Sequence, residues 1–296
     1  MASYKKKSLR NALEFSAFTV PAVITILIFV ILPFIMSFLY SFTKWNGLDK
    51  VPKFIGLQNY IELFTDDKSM LDSLVFTLFF TVAMVVVTNV AALLLAVLLD
   101  RNIRGRNALR AAFYVPNIIS LIVIGYIWRF IFSGAFDSLY ALTHAGIFML
   151  SWLGDPKIVI FSVVIVSVWQ AIGFYLVVYI AGLQTVPKDV IEASYIDGAK
   201  SIRRFFSITL PLIMPSVTVS VFYSIANALK TFDVIFSLTN GGPGTSSTTI
   251  ALDIYKTAFS ENRFGYGTAK SVILFLIIMV ITVLQVTVFK SREVEV

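Results

Sequence analysis

The sequence predicts an all-α integral membrane protein with six transmembrane helices and both termini in the cytoplasm. Three observations carry that prediction. Of 296 residues, 58% are hydrophobic and only 14% charged, against about 45–50% and about 25% in a soluble domain, so a water-soluble core cannot bury the apolar excess. Six apolar stretches reach the roughly 20 residues that a helix needs to cross a hydrocarbon core of about 30 Å. The basic residues gather at the ends of those stretches, and alternate ends are richer in them.

Composition also excludes chemistry. The chain has no Cys and a single His, His144, which removes disulfides, thiolate metal sites, cysteine nucleophiles and His-rich metal sites. His144 falls in an external loop and reads as a solvated side chain. A net charge of +7 would suit a nucleic-acid partner, but the placement of the charges assigns them to topology, and no nucleic acid is expected.

In order, the spans are expected over 15–42, 74–99, 111–132, 158–182, 208–238 and 269–289. The first follows Lys5, Lys6, Lys7 and Arg10, as a secretory signal would. Its apolar run, however, is about twice the usual length of a signal's and no small-residue cleavage site closes it. A cytoplasmic N-tail (1–14) and C-tail (290–296) therefore flank a six-span domain over 15–289. The N-tail, the second loop (Arg101, Arg104, Arg106, Arg110), the fourth loop (Lys188, Lys200, Arg203, Arg204) and the C-tail (Lys290, Arg292) hold most of the basic residues. The longer loops opposite hold fewer: Lys44, Lys50, Lys53, Lys68, Lys157, Lys256, Arg263 and Lys270. The richer side is cytoplasmic by the positive-inside rule. Arg129 and Lys230 fall inside or at the edge of spans three and five.

The first external loop, 43–71, contains Trp45, Gly47, Pro52 and Gly56 and is expected on the outer interface, with aromatic residues at headgroup depth. The third loop, 133–157, has Trp152, Gly154 and Pro156 and is read as carrying a short interfacial helix. No long internal repeat, low-complexity segment or soluble domain is visible.

The cytoplasmic loop 184–207 is the most informative. Pro187 suits the first turn of a helix, Asp189 complements its positive end, and Gly198 is the expected stop. Val190, Ala193, Ser194 and Asp197 recur at helical spacing. A short surface helix, a break, and a second segment with Arg203, Arg204, Phe205 and Phe206 follow. Two readings stand: a loop that re-enters at the inner leaflet, or a docking knob for a cytoplasmic partner.

Glu192-Ala193-Ser194, three residues, Gly198, nine residues, then Ile208-Thr209-Leu210-Pro211 resembles the EAA motif (E-A-A-x3-G-x9-I-x-L-P) of permease subunits in binding-protein-dependent ABC importers, with Ser194 in place of the second alanine. Leu238-Thr239-Asn240-Gly241-Gly242-Pro243, then Tyr255, Phe259 and Phe264-Gly265-Tyr266, and Phe54-Ile55-Gly56-Leu57-Gln58-Asn59-Tyr60 are similar to the sugar-permease branch typified by the maltose permease subunit MalF. The resemblance implies the type I ABC importer permease fold, in a bacterial or archaeal cytoplasmic membrane. It implies as partners a second permease subunit, usually different, two copies of an ABC ATPase, and an extracytoplasmic solute-binding protein, all in membrane lipid. The chain has no G-x-x-x-x-G-K-[ST] phosphate loop, so ATP and Mg are implied in the partner ATPase, with no cofactor in this chain. By resemblance the helix of Glu192, Ala193, Ser194, Asp197 and Gly198, with Arg203 beyond it, seats in an ATPase cleft. Glu192 would supply a charge at the joint, Ala193 and Ser194 close approach, and Gly198 the turn.

Polar side chains within a span face a cavity or another helix. In span five, Ser224, Asn227, Ala228 and Thr231 lie at i, i+3, i+4 and i+7, one stripe expected to face the pore, flanked by Lys230 and Asp233. In span four Ser167 and Ala171 share a face, with Trp169, Gln170, Phe174 and Tyr175 nearby; in span three Asn117 and Leu121 follow Pro116. The resemblance puts all of these except Gln170 and the flanking or nearby residues at positions that line the sugar site of the maltose permease. Hydroxyl and amide groups match a polyol's donors and acceptors, and aromatic faces cover its C–H surface. The competing role for such residues is helix packing. Arg129 and Lys230 keep an acidic sugar or a sugar phosphate in view. Two other classes compete: an ion-coupled carrier, which would be expected to show intramembrane acids and an internal duplication, and an intramembrane enzyme. Asp233 is the acid well inside a span and no repeat is seen, and one His without Cys leaves little for catalysis.

Overall fold

The computed structural model describes residues 15–101 and 103–290. The expected tails, 1–14 and 290–296, fall outside the described residues apart from the backbone of Lys290. Among the described residues the regular structure is helical but for one pair of two-residue strands. Five described helices are long and apolar enough to cross a membrane, or six if one sharply bent pair counts as a single span. Two compact units divide the chain.

The first unit comprises the described residues up to Asp67 together with Ile254–Ile273. Helix α1 (Phe15–Tyr40) is the most exposed of the candidate spans. A hairpin follows, β1 (Thr43–Lys44) pairing antiparallel with β2 (Lys53–Phe54), and then helix α2 (Gln58–Thr65). The buried Asn59 amide donates to the Ser41 and Thr43 carbonyls at 2.8 and 3.0 Å, fixing α2 against the end of α1. The Lys270 ammonium, expected in a solvated loop, is instead buried and paired with Asp67 at 2.8 Å. A charge withdrawn from water requires such a partner. Lys270 also donates to Thr257 Oγ1 at 3.1 Å.

The second unit comprises the described residues of Lys68–Asp253 and those from Leu274 onward. Helix α3 (Lys68–Leu99) starts ahead of the expected 74; α6 (Val159–Gln184) lies close to the expected 158–182. They pack along each other. Buried Ser73, Thr77, Phe80, Thr81, Met84 and Thr88 recur every three or four residues on α3, the period of one helical face. Helix α4 (Arg106–Ile118) crosses α6 at Gly173, where an added Cβ would collide with the Phe113 carbonyl and lie 2.6 Å from Tyr114 Cα; only glycine admits that approach.

Two expected spans are not single helices. The stretch 111–132 is divided between α4 and α5 (Leu121–Thr143). Pro116 has no N–H to donate, and within a turn the backbone leaves the helix at Ile119, with ψ 141°. Helix α5 then continues past Phe132 through a widened turn, Ile131–Ala135, so the expected loop 133–157 is helical as far as Thr143. A short 3₁₀ turn, Gly146–Met149, follows.

The stretch 208–238 also breaks. Helix α8 (Ser201–Leu212) and helix α9 (Met214–Leu229) meet at 73°, where Pro211 and Pro215 each withhold a backbone donor. Helix α9 stops at Leu229, and Asp233–Leu238 forms a separate helix, α10. Between α6 and α8 lies α7 (Lys188–Ile196), with Pro187 just outside it at the N-cap rather than within its first turn. Helix α11 (Ile250–Tyr255) precedes α12 (Phe264–Lys290), which begins ahead of the expected 269.

Candidate functional site

Two places in the second unit gather the residues singled out from sequence. One is helix α7, in the loop between α6 and α8. Its end is built by Gly198, at φ +70°, a left-handed position that favours glycine. The Ala199 N–H donates to the Ser194 carbonyl at 3.0 Å and the Gly198 N–H to the Tyr195 carbonyl at 3.1 Å, the paired bonds of a Schellman stop. Ser194 is buried, and its hydroxyl donates to the Ile191 carbonyl at 2.6 Å. A bulky residue there would have no room to turn inward. Glu192, Ala193, Asp197, Gly198 and Arg203 are exposed. Neither Glu192 nor Asp197 has an ion-pair partner among the described residues.

Arg204, next to the Arg203 expected at this joint, packs against α7. The Arg204 guanidinium sits 3.9 Å from the centroid of the Tyr195 ring, and Nη1 donates to the Ala199 carbonyl at 3.5 Å. Arg204 thereby braces α8 against α7. The adjacent pair Arg203-Arg204 was visible, but which of them faces the loop depends on the phase that α8 takes after the Gly198 turn.

The second place is an open-mouthed cavity of about 510 Å³ lined by α3, α4, α5, α6 and α9, with the α9–α10 connection and the start of α10. That volume is in the usual range for a small-molecule site, about 300–1,000 Å³. Asn117, Leu121, Ser167, Gln170, Ala171, Asn227 and Thr231 all line it. Ser224 and Ala228 do not. Both are fully buried, and Ser224 Oγ instead accepts from Asn89 Nδ2 at 2.9 Å. At 100° per residue the stripe of span five is too broad for one wall. Asn227 lies on the edge toward Tyr223 and the cavity, whereas Ser224 and Ala228 lie toward α9's packed side.

The lining also includes residues outside the expected set. Tyr223, one turn before Asn227, was predictable from the i, i+4 spacing. Met84, Ser120 and Phe232 carried no such signal, because they depend on how α3 packs and on where the chain breaks. Phe174 and Tyr223 form an aromatic wall, with ring centroids 4.8 Å apart. The Ser167 hydroxyl is buried without a hydrogen-bond partner among the described residues, an unmet capacity that normally finds a partner. Lys230 and Asp233 both line the cavity but form no ion pair with each other. Arg129 is exposed on α5 and does not line it.

The arrangement is that of a membrane protein able to hold a small polar molecule between helices, with a fixed knob on a loop. Residues 88–293 match the family described as the binding-protein-dependent transport system inner membrane component, and the chain belongs to that family. It is 44% identical over 291 residues to the probable starch degradation products transport system permease protein AmyD of Thermoanaerobacterium thermosulfurigenes, covering 98% of this chain and 99% of that one. It is 34% identical over 275 residues to the multiple sugar-binding transport system permease protein MsmF of Streptococcus mutans, covering 93% and 94%. The fold is similar to a chain of a bacterial ABC transporter involved in the import of the acidic polysaccharide alginate, with a TM-score of 0.83 at 20% identity, covering 96% of this chain and 98% of that chain. The family resemblance drawn from the spaced loop motif therefore holds, and the protein is an inner-membrane transport component.

Proposed function

We propose that the chain is one of two permease subunits of an ATP-driven importer that moves a neutral sugar or small oligosaccharide inward. The observation that carries the reading is the cavity, in which amide and hydroxyl side chains (Asn117, Ser167, Gln170, Asn227, Thr231) stand beside aromatic faces (Phe174, Tyr175, Tyr223). Sugars present hydroxyls at their edges and C–H surface on their faces, and this lining answers both. The names of the relatives, which concern starch products and multiple sugars, support the same solute class. Lys230 and Asp233 balance each other at the lining, and Arg129 is elsewhere, which favours a neutral solute over an acidic sugar or a sugar phosphate.

In this reading an extracytoplasmic binding protein delivers the sugar. Two ABC ATPase subunits, which carry the ATP and Mg, dock on the exposed face of α7, with both termini on their side of the membrane. Their closure moves α6 and α8, the two helices joined by that loop, and so changes access to the cavity. The test is uptake by proteoliposomes holding the assembled transporter. Uptake that requires enclosed ATP and external binding protein, and survives collapse of ion gradients, supports the reading. Uptake driven by an ion gradient without ATP would replace it with a carrier.

A further inference from the structure

Helix α2 presents three faces. One is buried: Asn59 and Leu63, with the Asn59 amide anchored to carbonyls at the end of α1. A second is polar: Gln58, exposed, and Glu62, which accepts from Arg263 Nη2 at 2.6 Å. The third is apolar and uncovered. Leu57, Ile61 and Phe64 lie at i, i+4 and i+7 and are 61%, 60% and 70% exposed. The hairpin before it adds Leu48, Val51 and Phe54, at 82%, 80% and 74%. Large apolar exposure concentrated in one short segment marks a surface that is covered in the working protein.

What covers it follows from where the helix is tied. Asn59 holds the carbonyl of Ser41, the residue immediately after Tyr40, at which the apolar span α1 ends. Three residues beyond Thr65, α3 starts its own run. Helix α2 is therefore pinned at the depth where a span leaves the hydrocarbon, tied to the end of α1, whose own apolar side chains are exposed. The exposed cations Lys50, Lys53 and Lys68 lie along the same short segment, suited to anionic headgroups. A short helix with an apolar face, a polar face and flanking lysines lies in the membrane interface.

We propose that α2 and the tip of the β1–β2 hairpin form a lipid-binding shelf, with Leu57, Ile61 and Phe64 inserted among acyl chains at the membrane surface. The shelf gives this end of α1 a fixed depth and tilt. It depends on the chain's membrane location and not on which solute is carried.

The chain has no cysteine, so single-cysteine nitroxide labels report cleanly. Labels at Ile61, Phe64 and Gln58 are placed one at a time in the assembled transporter, in nanodiscs of phosphatidylethanolamine and phosphatidylglycerol. The ratio of oxygen to water-soluble nickel-chelate collisions is expected to be several-fold higher at Ile61 and Phe64 than at Gln58. If a labelled variant fails to assemble, labels at Leu48 and Phe54 read the same shelf. Equal nickel access at all three positions would overturn the proposal in favour of a solvated face. Exclusion of both reagents at Ile61 and Phe64, or their shielding on addition of the binding protein, would overturn it in favour of a protein-covered face.

Discussion

The Tyr179 hydroxyl donates to Asn89 Oδ1 at 2.7 Å in the buried interior of the second unit. The same Asn89 donates through Nδ2 to Ser224 Oγ at 2.9 Å, so one amide ties α3, α6 and α9 together. Tyr175, one turn from Tyr179, and Asn227, one turn from Ser224, both line the cavity. The triad therefore sets the spacing of two cavity walls, and α6 runs directly from it toward the α7 knob.

Asn89→Leu removes both interhelical bonds and strands the buried Tyr179 hydroxyl, whereas Ser224 keeps its bond to the Val221 carbonyl. Interhelical bonds in membranes average roughly 0.6 kcal/mol each, and the stranded hydroxyl adds to that, for a loss of about 1–3 kcal/mol. The melting temperature of the purified complex should fall, and the ratio of sugar moved to ATP hydrolysed should fall with it. An unchanged ratio in a complex of lowered stability would make the triad purely structural.

At Gly198 the left-handed backbone predicts a split between substitutions. Gly198→Val forces a β-branched residue into φ +70°, at a cost of about 1–2 kcal/mol, and should abolish recovery of the ATPase with the permease. Gly198→Asn, which tolerates that conformation, should retain most of it. Equal recovery by both variants in a pull-down contradicts the proposed use of the loop.

Asn227→Leu replaces an amide on the cavity wall by an apolar group of similar size. Uptake across a sugar panel should drop or change preference, with KM rising more than kcat falls, while ATPase docking is spared. Unaltered uptake for every sugar would remove α9 from the solute path.

Gly173→Ala places a methyl against the Phe113 and Tyr114 backbone. Backbone cannot swing aside as a side-chain tip can, so the crossing of α4 and α6 must widen, at about 1–3 kcal/mol. Thermal unfolding of the purified complex is expected to begin several degrees lower.

Much of this architecture is legible in the sequence because the bilayer imposes long apolar runs, and four of the spans follow from hydropathy alone. The breaks are less legible. Pro116, Pro211 and Pro215 announce trouble, but periodicity does not say on which side of a proline the chain turns. The end of α9 at Leu229 has no local signal, since Lys230-Thr231-Phe232 contains neither Gly nor Pro. A distant residue holds that connection: the Thr249 hydroxyl donates to the Thr231 carbonyl at 2.9 Å. For the same reason the polar stripe extends beyond the cavity wall. Its phase on the helix was visible, whereas the packing that assigns Ser224 to α3 and Asn227 to the cavity was not. Gly198 was legible because a single residue decides a helix stop.

The most direct test places a photoreactive amino acid at Tyr195 or Ile196, on the exposed side of α7, in the transporter assembled in cells. The account predicts an adduct with a nucleotide-hydrolysing subunit that is lost in the Gly198→Val variant. Adducts to lipid alone, obtained from a transporter that still moves sugar, would contradict it.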